Sequence, residues 1–237
     1  MGDIFNVFDL NSSKINQTGV ASVGYPQICL RTNRTAKRTN LDDVIKTADN
    51  IANKYPGDKA KSAFAVLSSL SELFGGGSFG HAWLIIFHSD KPGDYSSYSY
   101  HDGYGYVHNG DTGAGGHTND TASRGFAYQH VKKINPEMIQ ALEKVIIPTL
   151  NGISTAIGAS FGVQPASGRT GVYTATTNCS WFAGNVWNAV TNETVIFTQK
   201  FVGKEHANKW GVDALYLINE IADPGMIAES IKGGVGA

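Results

Sequence analysis

The sequence predicts an α+β protein, and three observations carry that expectation. They are a helical hairpin over residues 41–74, a strand hairpin over 82–100, and an amphipathic helix that opens at Cys179. Asn40-Leu41-Asp42-Asp43 supplies a cap and first-turn acids, and Val44, Ile45, Ala48, Ile51, Ala52 and Tyr55 follow at helical spacing until Pro56-Gly57. A second helix starts from Asp58, sets Phe64, Leu67, Leu70 and Phe74 on one stripe expected to be buried, and ends at Gly75-Gly76-Gly77. The period then changes. Ala82 to Phe87 is short and wholly apolar, as a strand covered on both faces would be, Ser89 to Asp94 is a turn signal, and Tyr95 to Tyr100 alternates Ser with Tyr as a return strand.

Residues 102–127 are too long for a plain connection and read as a functional loop or a further hairpin carrying Tyr104 and Tyr106. Asn135-Pro136-Glu137 opens an additional helix over 135–147, with Met138, Ile139, Leu142, Val145 and Ile146 on its buried side. From Cys179 the apolar positions Phe182, Val186, Ala189 and Val190 mark the next helix, and Trp210, Ala214, Leu217, Ile218 and Ile221 mark a C-terminal one. No linker divides the chain, so 1–237 is expected to form a single domain. Within it, 1–40 is an N-terminal extension of short strands and turns (Ile4, Val7, Phe8, Ile28, Leu30), and 233–237 is a flexible Gly-rich tail.

Composition narrows the function classes. Nineteen basic against 20 acidic side chains leave a net charge of −1, which removes the general attraction that drives non-specific binding to nucleic acid or anionic lipid. The longest apolar run is far shorter than the roughly 20 residues of a membrane span. No basic-then-apolar leader opens the chain, so it is expected to be made in the cytoplasm without a signal peptide. Cys29 and Cys179 are too few for a disulfide framework and lack metal-ligand spacing; no cofactor and no metal are expected.

The two cysteines differ in setting. Cys29 lies in a strand-like apolar stretch, whereas Cys179 opens a helix, where unpaired N–H groups favour a thiolate. A nucleophilic thiol also needs a base, held in one tautomer by a third group. If the 82–100 hairpin turns about Lys91, paired positions sum to 182, which places His81 opposite His101. A slip of one residue would place Asp102 there instead, so His101 and, as the alternative, Asp102 are the candidate orienting groups.

Gly80-His81-Ala82-Trp83-Leu84, the hairpin ending in Tyr98-Ser99-Tyr100-His101, and Asn178-Cys179-Ser180-Trp181-Phe182-Ala183 at a helix start resemble the permuted papain-like cysteine hydrolases. That group includes the circularly permuted NlpC-type peptidases and the lecithin–retinol acyltransferase branch, and the match covers about residues 79–102 and 174–190. The resemblance implies a papain-like core, a small antiparallel sheet packed on the cysteine helix, with Cys179 as nucleophile, His81 as general base and His101 as orienting residue. The Cys179 backbone N–H would hold the oxyanion, with Tyr173 or Trp83 as second donor. Ser180 and Trp181 stand where the acyltransferase branch has Glu-His.

The implied activity is that of a cysteine amidase or peptidase acting on bacterial cell-wall peptide. Delivery would be by a signal-independent route such as type VI secretion to a target-cell periplasm, with a cognate immunity protein as partner. The alternatives are a thioester-forming acyltransferase or phospholipase, and, from another class, a non-catalytic binding module or toxin in which Cys179 is structural. A lipid enzyme should show an apolar lip beside Cys179; a binding module should bury Cys179 with no imidazole near it.

Overall fold

A computed structural model describes residues 10–75 and 79–235. Ile4, Val7, Phe8 and the last two residues of the expected tail lie outside that range. The architecture is mixed α+β, built on a seven-stranded antiparallel sheet. Its strands are β1 (Gln27–Thr32), β2 (Ala82–Phe87), β3 (Tyr95–His101), β4 (Gly105–His108), β5 (Asp111–Gly113), β6 (Gly116–His117) and β7 (Tyr128–Lys133), in spatial order β6-β5-β4-β3-β2-β1-β7. The helices are α1 (Leu41–Ala52), α2 (Lys59–Gly75), α3 (Pro136–Ala141), α4 (Ile147–Ser160), α5 (Cys179–Thr191), α6 (Lys204–Trp210) and α7 (Pro224–Gly233). A two-stranded ladder pairs β8 (Thr198–Lys200) with β9 (Glu220–Ala222).

The β2–β3 register follows the predicted turn centre: Leu84 faces Tyr98, Ile86 faces Ser96 and Phe87 faces Tyr95. β2 is apolar throughout because both faces of the sheet are covered. On one face Ala82, Leu84, Ile86, Tyr98 and Tyr100 pack with Phe182, Val186 and Trp187 of α5. On the other, Cys29, Trp83, Ile85 and Phe87 pack with Ala122 and Phe126 from the segment that follows β6. Over residues 97–100 the Ser–Tyr alternation of β3 thereby sends Tyr98 and Tyr100 to the α5 face and Ser97 and Ser99 to the opposite one, where Tyr95 joins Phe87. A third core gathers α1, α2 and α6 around Phe74, Phe79 and Trp210.

Several sequence expectations are corrected. β1, expected within an N-terminal extension, is instead an interior strand of the sheet, hydrogen-bonded between β2 and the edge strand β7; its pairing partners lie tens of residues away, beyond any local pattern. The helix from 135 does not run straight: a π-helical turn at Leu142–Ile146 separates α3 from α4 and leaves Val145 60% exposed. The Trp210–Ile221 stripe is not one helix. Gly211 takes a left-handed φ of 75°, a 3₁₀ turn occupies Asp213–Leu217, and β9 follows. The long 102–127 segment contains the further hairpin structure expected of it, in β4 to β6, and residues 118–127 then return over the sheet face.

Candidate active site

Cys179 is the first residue of α5. The Asn178 side chain caps the helix by accepting the N–H groups of Ser180 and Trp181. The amide of Asn178 is itself anchored on the Ala222 carbonyl at 2.8 Å. The thiol is 1% exposed. Burial pushes its pKa up; the Ala82 N–H and the hydroxyls of Ser180 and Tyr173 face the sulfur and favour the anion, while the Asp120 charge disfavours it. The helix start therefore does not yield a free thiolate at rest, because loss of water outweighs the helix terminus.

His81 directly precedes the Ala82 amide that faces the sulfur. Its backbone N–H donates to Asn33 Oδ1 at 2.7 Å, and Gly80, at φ 93°, lets the Arg34 side chain pass where any Cβ would collide. No hydrogen bond joins the His81 ring to Cys179. Instead, His81 Nε2 lies 3.1 Å from the Asp120 carboxylate. His101 Nε2 lies 2.5 Å from the same group, and the two imidazole centroids are 4.5 Å apart. The histidines thus converge as the register predicts, but neither orients the other directly. Both rest on Asp120.

Asp120 is 1% exposed and also accepts from Ser99 Oγ at 2.6 Å and from the Arg124 guanidinium. Burial alone would raise its carboxyl pKa; the adjacent imidazoles, by charge and hydrogen bonding, overturn that and hold it well below the ordinary carboxylate range. His81 goes down to about 4, with burial as the main cause, opposed by the Asp120 charge. At neutral pH the site is therefore a neutral thiol, a neutral His81 and an ionised Asp120. The Nε2–H tautomer of His81 donates to the carboxylate and leaves Nδ1 as the open acceptor.

Asp120 was not visible as a site residue in the sequence. The long 102–127 segment, flagged only as too long to be plain, was the available signal. Asp102, the alternative orienting group, does not serve: it is exposed and its carboxylate lies against Gly75 at the end of α2. Trp83 stacks on His81 at 5.5 Å between centroids, but packs on the sheet face away from α5. It therefore does not reach an oxyanion at Cys179. Tyr173 does. Its hydroxyl donates to the Phe74 carbonyl at 2.7 Å while lying beside both the N–H and the sulfur of Cys179.

His81, His101 and Asp120 present ligand-type atoms within 4.8 Å of one another, the right donor set for a divalent cation. The carboxylate is already committed, however: Oδ2 carries His101 and Ser99 and Oδ1 carries Arg124, whose charge would oppose a metal. Among the described residues no helix is long and apolar enough to cross a membrane. No protein-family model, no curated protein and no solved structure matches the chain.

Proposed function

We propose that the protein is a cysteine acyl hydrolase of papain-like type, with Cys179 as nucleophile, His81 as general base and Asp120 as the residue that fixes the His81 tautomer. The observation that carries this reading is the buried Asp120–His81 pair placed one residue from the backbone amide that faces a helix-start thiol. A merely structural cysteine has no need of an anchored imidazole on the residue next to the amide that faces it.

In the proposed step His81 Nδ1 takes the thiol proton as sulfur adds to an acyl carbon. The carbonyl oxygen takes the negative charge and accepts from the Cys179 N–H and from the Tyr173 hydroxyl, which turns from the Phe74 carbonyl to donate. Collapse breaks the acyl–nitrogen bond, His81 returns its proton to the leaving amine, and water then cleaves the thioester with His81 as base. Contacts between base and nucleophile commonly tighten only when substrate is bound, which suits a resting site where no hydrogen bond joins the thiol to the imidazole. Amide or peptide bonds of bacterial cell-wall peptide are the proposed substrate. His101 serves as a second support for Asp120.

The test is export of the protein to a bacterial periplasm, read as cell lysis and as new termini in isolated wall peptides. Lysis and cleavage that vanish in Cys179→Ala and in His81→Ala, and that persist when chelator is added to the purified enzyme, are expected. Toxicity that survives Cys179→Ala, or that appears without export, sinks the wall-peptide reading. Activity abolished by chelator and restored by zinc would move the chemistry to a metal at His81, His101 and Asp120.

A further inference from the structure

The α2 stripe of Phe64, Leu67, Leu70 and Phe74 closes on protein only in part: Phe74 is buried, with Leu67 and Leu70 packed against its core. Phe64 is 76% exposed, and Phe64, Leu67, Leu70 and Phe74 line a cavity of about 590 Å³ between α2, the 161–176 segment and the α6 region. That volume lies within the usual range of small-molecule sites, about 300–1,000 Å³. Tyr173 forms part of the wall. Its ring faces the cavity while its hydroxyl sits beside Cys179, so the cavity and the candidate nucleophile are separated by one side chain.

The charge of the wall restricts the occupant. Its charged residues are Glu72 and Asp102, both exposed, and no basic residue lines it. Asp102 makes no hydrogen bond or ion pair with a described residue, and it lies against Gly75 at the C-terminal end of α2, the end of a helix that carries partial negative charge. A carboxylate in that position is better satisfied by a cation.

We propose that this cavity binds an amphiphilic amine: an apolar alkyl or aryl group enters between Phe64 and Phe74, and an ammonium group stays at the rim against Asp102 and Glu72. An anionic amphiphile such as a fatty-acid carboxylate is disfavoured by the same two acids. If the hydrolase reading holds, the occupant is the apolar, amine-bearing part of the substrate, held with its scissile carbonyl toward Tyr173 and Cys179. The role as a substrate subsite rests on that reading; the binding itself does not.

The experiment titrates the full chain with butyl-, hexyl- and octylammonium, octanol and octanoate, read by calorimetry. The expected result is saturable binding of octylammonium, strengthened about fourfold per added methylene and several-fold tighter than octanoate. Ser71→Trp, an exposed position on α2 in the cavity wall, should abolish it with the circular dichroism spectrum unchanged. The double change Asp102→Asn with Glu72→Gln should keep binding and level ammonium with octanol, which holds the proposal open to refutation if the Trp variant fails to fold. No saturable binding, octanoate equal to or tighter than octylammonium, or binding unaffected by a folded Ser71→Trp protein overturns it. Cys179→Ala should bind octylammonium as well as the parent, so a failed hydrolase reading and a failed cavity give different results.

Discussion

Asp120→Asn tests the centre of the site most directly. Four groups rest on this carboxylate: His81 at 3.1 Å, His101 at 2.5 Å, Ser99 at 2.6 Å, and the Arg124 guanidinium. The amide is nearly isosteric, so no cavity opens, but the anion is lost and an NH₂ must face donors. Removing one partner of a buried ion pair costs about 3–5 kcal/mol. At roughly 2–4 °C per kcal/mol for a chain of this size, the melting temperature should fall by about 6–20 °C. His81 responds in a defined direction. Burial carries it down to about 4 while the Asp120 charge pulls up, so removing that charge must lower it further. Urea unfolding measures the first effect and imidazole NMR titration the second. Catalysis should fall with the tautomer; in the serine-protease triad the analogous change costs about 10⁴ in kcat. A stability loss below about 1 kcal/mol, or a His81 resonance titrating higher in the variant than in the parent, would refute the arrangement.

Protein stability should also decline as pH falls from about 6.5 to about 4. The unfolded chain takes a proton on His81 below 6.5 while the folded state refuses it until about 4, a gap worth about 3 kcal/mol at 1.36 kcal/mol per tenfold; urea midpoints that stay flat across this window would exclude a buried neutral His81. Tyr173→Phe should lower kcat by about 10² if its hydroxyl holds the oxyanion, while leaving octylammonium binding unchanged; an unaltered kcat removes it from that role. Native-state alkylation should be slow at both thiols, since Cys29, raised to about 12, is 0% and Cys179 1% exposed, and a fast reaction at Cys179 would show that the thiol opens readily. Gly184→Ala on α5 should destabilise by about 1–3 kcal/mol, because a Cβ there would run into the Phe197 ring, and urea unfolding that matches the parent would show that Phe197 yields freely.

The sequence by itself determined the parts of this protein that local chemistry controls. Asn40 caps its helix as expected, and Asn135 and Asn178 cap the helices expected to start beside them, because a side-chain oxygen two or three residues before an open N–H acts within one turn. The turn about Lys91 set the β2–β3 register, and with it the approach of His81 to His101, because a hairpin has one length and one parity. Only the tertiary structure decided what depends on segments distant in sequence. Asp120 reaches His81 across 39 residues of chain, and no periodicity records which turn residue of a long loop comes to rest on a sheet end. β1 entered the interior of the sheet, between β2 and β7, through pairings that its own pattern does not name. The α2 stripe looked like core because amphipathicity shows that a face is apolar, not what covers it; here it lines an open cavity. Cys179 was judged by its helix start alone, whereas its protonation is ruled by the water that packing removes, a quantity that exists only once the chain has folded.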